Sequence, residues 1–431
     1  MVHRMSLLAA MGVVVWSGAT AASSVESLLN QLIDDRIERQ VQAKVLDAVE
    51  RTVESNVERA AGPVADAMRR VVELVPKQGE AFHPEIDAKG STIERGVWLV
   101  LASPEHVEAI ERQGFKVREL RKLEHLDLVL IRVEAPADRG PAEAQLALTL
   151  EAPGVRIDHN HLFRAMGGSD AVPGTADMSL RVSRNVTVGI VDSAIAMRHE
   201  ALRRAVIEQH DFVPYDRPRP MAHGTAVASL LVGDGARMRG LLRGARLLAA
   251  SVFFQDDAGE TAATTASLVR ALDWLAGTGT RVINMSLAGP PNRVLEATID
   301  AVAAKGILVT AAVGNDGPTV QPRYPAAYGS VVGITAVDAE NRIYMHANRG
   351  RGVMFAAPGV AIGVAQADGG YGTESGTSFA TAHAASILVR AMAAPGATRD
   401  GVLAKLEAAA IDLGEPGFDD TFGHGLIKAL E

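Results

Sequence analysis

Short apolar runs recur along the second half of the chain, with stretches of helical character between them. The runs are NVTVGIV (185–191), RLLAASV (246–252), TRVINMS (280–286), ILVTAAV (307–313), SVVGITAV (330–337) and GVMFAAP (352–358). Residues 261–276 and 292–304 have helical character. Continuous runs rich in β-branched residues are typical of a parallel sheet with helices on both faces. We therefore predict a doubly wound, mostly parallel α/β domain over residues 178–431.

Residues 90–166 follow a different pattern, which predicts a small α+β domain. The predicted strands are GVWLVLA (96–102), two within 115–135, and VRIDHNHLF (155–163); the helices are SPEHVEAIERQG (103–114) and PAEAQLALTLEAPG (141–154). The first helix begins with a capping Ser and ends at a Gly. The order βαββαβ is that of the ferredoxin-like unit. Polar residues 77–95 are predicted to be loop-like, and residues 166–179 to be a linker.

Residues 24–77 carry an apolar residue at every fourth position from Val25 to Val57. On a helix of 3.6 residues per turn, each such step drifts by about 40°, so the stripe winds around the helix. This drift argues against a simple two-stranded coiled coil. We predict a partly packed helical arm, and a helix that binds a partner is the alternative.

The first 21 residues have the three parts of a secretory signal. His3 and Arg4 precede an apolar stretch, Met5–Trp16, and Ala19-Thr20-Ala21 forms a small-x-small site. About twelve apolar residues are too few to span a bilayer comfortably. We predict a cleaved signal and export to the periplasm or the extracellular space, with an uncleaved anchor as the alternative.

Composition narrows the class of protein further. A chain of 431 residues suggests two or three domains, and 48% hydrophobic residues fit a globular protein. The net charge of −8 gives no broad basic surface, so nucleic acid is not an expected partner. The chain has no cysteine, which excludes disulfides, thiolate catalysis and cysteine metal sites.

Candidate chemistry lies where the predicted strands end, because open parallel sheets bind ligands outside the carboxyl ends of their strands. Asp192 closes the strand NVTVGIV, Ser286 follows TRVIN, and Asn315 follows ILVTAAV. His223 and Ser378 lie at the starts of predicted helices. Four of these residues, taken alone, have an ordinary alternative: a helix cap for Asp192, a buried structural histidine for His223, and turn or capping roles for Asn315 and Ser378.

As an ordered set, these residues resemble the motifs of the subtilases, the subtilisin-like serine proteases. VGIVDS, HGTAVA, AAVGNDG and SGTSFATAH are similar to that family's Asp, His, Asn and Ser motifs, in the family's order. The separations also fit, with 31 residues from Asp192 to His223 and 155 from there to Ser378. The resemblance covers about residues 180–431 and implies the subtilisin-like fold.

The resemblance implies a catalytic triad and an oxyanion donor. Ser378 would be the nucleophile and His223 the base, while Asp192 would orient the imidazole. Asn315 and the backbone N–H of Ser378 would stabilise the oxyanion.

The resemblance also implies the surfaces that bind polypeptide substrates. Ser286, Leu287, Ala288 and Gly289 would pair with substrate backbone as an added strand, and Gly314 would line the pocket. The small apolar residues around that pocket predict a preference for uncharged side chains of medium or large size.

Several residues depart from the family pattern. Ala194 replaces a Gly after the catalytic Asp, and Ala201 replaces a carboxylate that often binds calcium. The loop GDGARMRG (233–240) is short. We therefore predict no cofactor and no metal site, and in particular no strong calcium site. His199-Glu200 does not continue into a zinc motif, because the fifth position is Arg203.

Position assigns a role to the small domain. Subtilases commonly carry an inhibitory propeptide of βαββαβ type directly before the protease, so residues 90–166 are predicted to be an intramolecular inhibitor that is removed by self-cleavage near Met166. An ordinary accessory domain is the alternative. For the whole chain, the leading prediction is an exported serine endopeptidase. The alternative is an inactive subtilase-fold scaffold whose helical arm holds a partner.

Overall fold

The computed structural model describes residues 82–103, 106, 110, 114–134, 143, 146–147, 154–166, 180–182, 186–256 and 258–430. All of these residues fall in one compact unit, Pro76–Glu431. The predicted signal (1–21) and helical arm (24–77) lie outside the described residues. No helix in the described part of the chain is both long and apolar enough to cross a membrane.

An antiparallel sheet forms the N-terminal part of this unit. Its strands are β1 (Pro84–Ile86), β2 (Thr92–Ala102), β3 (Lys116–Leu123), β4 (Leu128–Glu134) and β5 (Arg156–Ala165). The four long strands pair in the order β5-β2-β4-β3, and β1 pairs with β2. This is the strand order of a ferredoxin-like unit. The two helices predicted between these strands lie mostly outside the described residues.

The prediction of a loop over residues 77–95 is wrong in its second half. β1 and the first residues of β2 form there because Pro84–Ile86 pair antiparallel with Thr92–Glu94. Ile93 also pairs with His161 of β5, which extends β2 toward its N-terminus. The pairing of Ile93 with His161 joins residues distant in sequence, so the local polarity of this segment did not indicate it.

The remaining elements form the α/β part of the chain. The strands are β6 (Leu180–Arg181), β7 (Thr187–Asp192), β8 (Val206–Asp211), β9 (Leu242–Arg243), β10 (Arg246–Ser251), β11 (Phe254–Gln255), β12 (Thr261–Thr264), β13 (Val282–Met285), β14 (Leu287–Ala288), β15 (Leu308–Ala312), β16 (Val331–Val337), β17 (Phe355–Pro358), β18 (Ile362–Ala365) and β19 (Tyr371–Glu374). The helices are α1 (Ala222–Val232), α2 (Thr265–Ala276), α3 (Arg293–Ala304), α4 (Thr377–Met392) and α5 (Arg399–Ala409).

Seven strands form a parallel sheet in the order β17-β16-β15-β13-β7-β10-β8. The core on one face includes residues of α1, α4 and α5, and the core on the other face includes residues of α2 and α3. The central strands are therefore buried on both sides, which explains their unbroken apolar sequences. The doubly wound, mostly parallel architecture that the apolar runs predicted is present.

The predicted helix over residues 261–276 is wrong at its start. Thr261–Thr264 form β12, because Ala263 and Thr264 pair antiparallel with Phe163 and Leu162 of β5. The helix α2 begins only at Thr265, where the Thr264 side chain accepts a hydrogen bond from the backbone N–H of Ser267.

Candidate active site

The carboxyl edge of the parallel sheet brings together the residues with candidate chemistry. Asp192 is the last residue of β7, and Asn315 lies three positions beyond β15. His223 and Ser378 are the second residues of α1 and α4. Helix and strand ends meet at this edge because each parallel strand runs toward it before the chain turns into the next helix.

Asp192 and His223 form a hydrogen-bonded pair. The Nδ1 of His223 lies 2.7 Å from Oδ1 of Asp192, and the side chain of Asp192 is fully buried. A carboxylate accepts but does not donate, so Nδ1 carries the proton and Nε2 of the neutral ring is free to act as a base. Burial alone lowers the pKa of His223, but the charge and hydrogen bond of Asp192 outweigh burial and raise the pKa above 6.5.

Ser193 joins the strand of the carboxylate to the helix of the imidazole. Its backbone N–H donates to Oδ1 of Asp192 at 2.7 Å, and its Oγ accepts from the backbone N–H of Gly224 at the same distance. A Cβ on Gly224 would lie 2.3 Å from the carbonyl oxygen of Ser193. Neither residue was assigned a role from the sequence, although both stand next to catalytic candidates in the motifs.

Ser378 lies in the first turn of the buried helix α4 and faces the strand that ends at Met285. Its Oγ donates to the carbonyl oxygen of Ser286 at 3.2 Å, and Oγ of Ser286 donates back to the carbonyl of Ser378 at 3.0 Å. The Nε2 of His223 is buried, and the described residues offer it no hydrogen-bond partner. In this arrangement the hydroxyl of Ser378 is therefore not bonded to the imidazole, and the serine side chain must rotate for the two to meet.

Asn315 is held by its oxygen. Its Oδ1 accepts hydrogen bonds from Thr377 N–H at 3.1 Å and from Thr377 Oγ1 at 2.9 Å. The amide NH₂, which can only donate, is left for another acceptor. Thr377 is a positioning residue that the sequence analysis missed, and its place directly before Ser378 is the only local signal for it.

Gly314, which the sequence analysis assigned to the pocket, has a left-handed φ of 113°. A Cβ there would lie 2.5 Å from Nδ2 of Asn348, so only glycine fits this turn without strain. Its N–H also points toward Oγ1 of Thr377 at 3.4 Å. Gly314 therefore holds the chain between β15 and Asn315 close to the start of α4.

The end of β5 lies across this site. β14 pairs antiparallel with β5, with Leu287 opposite Ala165 and Ala288 opposite Arg164. The backbone N–H of Met166 donates to the carbonyl of Ser286, and Ser378 N–H donates to the carbonyl of Met166, both at 3.3 Å. The main chain of Met166 is thus held directly at the N-terminus of α4.

β5 is paired on its other edge as well, because β12 pairs with Leu162 and Phe163. Phe163 is fully buried. A Cβ on Gly289 would lie 2.4 Å from the phenyl ring, so a side chain at that position would force the ring to move. Gly289 thus shapes the space that holds Phe163, which is the fourth residue when the chain is counted back from Met166.

The antiparallel sheet also contacts the starts of α2 and α3. Asn160 Oδ1 accepts from the N–H of Ala266 at 3.0 Å, and Asp158 Oδ2 accepts from the N–H of Arg293 at 2.9 Å. The Nδ2 of Asn160 donates to Glu94 at 2.7 Å, and Glu94 is also paired with Arg132 at 2.8 Å. These contacts satisfy helix N-termini that otherwise lack acceptors.

Ala201, which replaces the carboxylate that often binds calcium in the family, and its neighbour Glu200 are hydrogen-bonded to protein groups. The carbonyl of Ala201 accepts from Asp234 N–H at 2.8 Å, and Glu200 accepts from Ala236 N–H at 2.9 Å and from the hydroxyl of Tyr371. Among the described residues, no group of three or more His, Cys, Asp or Glu side chains has the arrangement of a metal site. Glu200 and the carbonyl of Ala201 thus already accept hydrogen bonds from protein groups.

Comparison with known proteins places these observations in a family. A sequence model of the subtilase family matches residues 183–425. The minor extracellular protease Epr of Bacillus subtilis is 30% identical over 57% of this chain, and subtilisin E of the same organism is 31% identical over 57%. The chain spans 38% of the first relative and 64% of the second.

A solved structure also has a similar fold. Fervidolysin from Fervidobacterium pennivorans, described as a keratinolytic enzyme related to subtilisin, superimposes with a TM-score of 0.64. The match covers 83% of this chain and 64% of that protein, at 20% identity. At that identity the likeness concerns the fold alone.

Proposed function

Because the chain belongs to the subtilase family, we propose that it is an exported serine endopeptidase that uses Asp192, His223 and Ser378 as its triad. One observation carries the proposal: a peptide carbonyl, that of Met166, accepts a hydrogen bond from Ser378 N–H beside the paired Asp192 and His223. A substrate carbonyl must lie there if the N–H groups at this helix start are to stabilise an oxyanion.

The proposed reaction begins when Oγ of Ser378 attacks the substrate carbonyl carbon and Nε2 of His223 takes the hydroxyl proton. The buried carboxylate of Asp192 stabilises the imidazolium that results. The tetrahedral oxyanion is bonded by Ser378 N–H and by the amide NH₂ of Asn315. The carbon–nitrogen bond then breaks, and the leaving amine takes the proton from His223. Water next attacks the acyl-enzyme: His223 takes a proton from the water and returns it to Oγ of Ser378 as the ester bond breaks.

We propose further that the chain cleaves itself between Met166 and Gly167. Support comes from the pairing of β5 with β14, which is the β-augmentation geometry of a bound peptide, and from the position of the Met166 carbonyl. Residues 90–166 would then act as an intramolecular inhibitor, since their last strand fills the site. The tether holds this first substrate at high effective concentration.

The test is the fate of the purified precursor. Wild type should yield a chain whose N-terminal residue is Gly167 or lies a few positions beyond it, while Ser378→Ala should stay intact. Ser386→Ala, which removes another buried hydroxyl from the same helix, should process like wild type. Trimming of Ser378→Ala at the wild-type rate would overturn self-processing, and an active wild type that is never trimmed would make residues 90–166 a permanent accessory domain.

An inactive scaffold is the second candidate. It is favoured by Ala194 in place of a glycine and by the Ser378 hydroxyl, which bonds Ser286 and not the imidazole. Ala194, however, does not have a positive φ, so its side chain adds no backbone strain beside Asp192. Hydrolysis of a peptide by wild type, together with its loss in Ser378→Ala, would rule out the scaffold.

The remaining proposals concern the surroundings of the enzyme. Export rests on the predicted signal over residues 1–21, and calcium independence on the direct bonds around Glu200 and Ala201. N-terminal sequencing of the mature protein recovered from each cell fraction tests export. If the protein is found only in the cytoplasm, with residue 1 as its N-terminus, export is wrong.

A further inference from the structure

The residues of β5 next to the active site form a substrate-like series, if the proposed function holds. Counting back from the scissile bond, they are Met166, Ala165, Arg164 and Phe163. Phe163 is fully buried, while Arg164 keeps 42% of its side chain exposed. The third residue of a bound peptide therefore lies at the rim of the cleft, where a charged side chain can stay hydrated.

An acidic turn, formed by Asp256 and Glu260 between β11 and β12, faces this third residue. The guanidinium of Arg164 lies 3.5 Å from Oε2 of Glu260 and 3.8 Å from Oδ2 of Asp256. The same guanidinium approaches the carbonyl of Thr261 at 3.4 Å. The described residues offer these two carboxylates no other ion-pair partner within 4 Å.

Backbone groups of the turn hold the carboxylate of Asp256 in place without the help of Arg164. Asp256 Oδ1 accepts from the N–H groups of Ala258 at 3.0 Å and Glu260 at 2.8 Å, which leaves Oδ2 toward Arg164. The side chain of Asp256 is only 13% exposed, so solvent screens its charge less than that of Glu260, which is 65% exposed. A preorganised acceptor loses little side-chain entropy on binding.

We propose that this acidic turn makes the enzyme prefer arginine or lysine as the third residue before the scissile bond. The acidic turn belongs to the enzyme, whereas Arg164 occupies the position of a substrate residue. The preference for a basic third residue should therefore apply to other polypeptide substrates as well as to β5. The acidic turn adds an electrostatic determinant at the rim of the cleft, next to the apolar pocket predicted for the first residue.

Peptides of the series Phe-X-Ala-Met, followed by a fluorogenic amide, test the proposal on the processed wild-type enzyme. We expect kcat/KM for X = Arg to exceed that for X = Ala by about fivefold at low ionic strength, the upper end of what an exposed ion pair contributes. X = Glu should fall below X = Ala. The preference should shrink toward unity in about 0.5 M salt, where the Debye length is only a few ångströms.

Charge variants connect the preference to the turn. Glu260→Gln should reduce the Arg-to-Ala ratio, and Glu260→Lys should reverse the order of X = Arg and X = Glu. Glu340→Gln and Glu340→Lys are matched controls, because Glu340 is also 65% exposed and stands in a turn that Asp338 Oδ1 closes in the same way. The controls should keep the wild-type ratio.

The outcomes separate this inference from the proposed function. If the peptides are hydrolysed without regard to X, or if the controls change the ratio as much as the Glu260 variants, the inference is wrong and the peptidase stands. If wild type hydrolyses none of the peptides and no protein substrate, the proposed function fails and the inference fails with it.

Discussion

Replacement of Asn315 by alanine should slow the chemical step and leave substrate binding nearly unchanged. The variant removes the amide NH₂ while the N–H of Ser378 stays in place, so one of the two proposed oxyanion donors is lost. Loss of one such donor is worth about 10²–10³ in kcat, or about 2.7–4 kcal/mol, in subtilisin-like enzymes. The donor acts mainly in the transition state, so KM should change little.

The same substitution also removes an anchor, and this effect must be measured separately. Oδ1 of Asn315 accepts from Thr377 N–H and Oγ1, and each bond contributes about 1 kcal/mol to stability. Asn315→Asp keeps this acceptor but loses the donor and adds a negative charge. It should therefore be as slow as Asn315→Ala or slower, with a smaller loss of thermal stability.

The assay is kcat and KM on a chromogenic peptide, with active-site titration to correct for the fraction of folded enzyme. A rise confined to KM would mean that Asn315 only positions substrate. A fall in kcat of less than about tenfold would refute the oxyanion role. Near wild-type turnover of Asn315→Asp would refute it as well, since that variant cannot donate from the side chain.

Three further predictions concern metal, pH and the precursor. The melting temperature should agree in EDTA and in millimolar calcium, because a site at a hundredfold excess over Kd would add about 2.7 kcal/mol. Protonation of His223 removes the base as pH falls, and the charge of Asp192 raises the pKa of that imidazole. Asp192→Asn should therefore move the acid limb of kcat/KM to lower pH. The same variant should lower kcat by about 10⁴. In a Ser378→Ala precursor, Asn160→Ala should lower stability by about 1–3 kcal/mol, because the Ala266 N–H and Glu94 lose a buried partner; an unchanged melting temperature would contradict this.

The parallel sheet was predictable because burial on both faces requires unbroken apolar runs, as in the strand that ends at Asp192. Strands with mixed sequences were not. β8, Val206–Asp211, reads VIEQHD because it lies at the edge of the sheet and is partly exposed. β12 contains alanines that favour a helix, and its pairing with β11 and with β5, about a hundred residues earlier, makes it a strand.

The candidate site, like the fold, was predictable from the sequence only in part. Four motifs in the family's order indicated Asp192, His223, Asn315 and Ser378, since short motifs carry their own local geometry. Contacts between distant segments gave no sequence signal. The Asp256 carboxylate faces Arg164 from another part of the chain, and Phe163 packs on Gly289. Such pairs become visible only when the fold brings the two segments together.

Covalent labelling with a fluorophosphonate tests the central claim most directly, because the probe reacts with a serine only when an active site makes it nucleophilic. The processed wild-type protein should be labelled at one residue, and peptide mapping should place the phosphonyl group on Oγ of Ser378. Ser378→Ala and heat-denatured wild type should stay unlabelled, while Ser386→Ala should be labelled like wild type. No labelling of the processed wild type, alongside a labelled active subtilisin, or labelling of a different serine, would contradict the account.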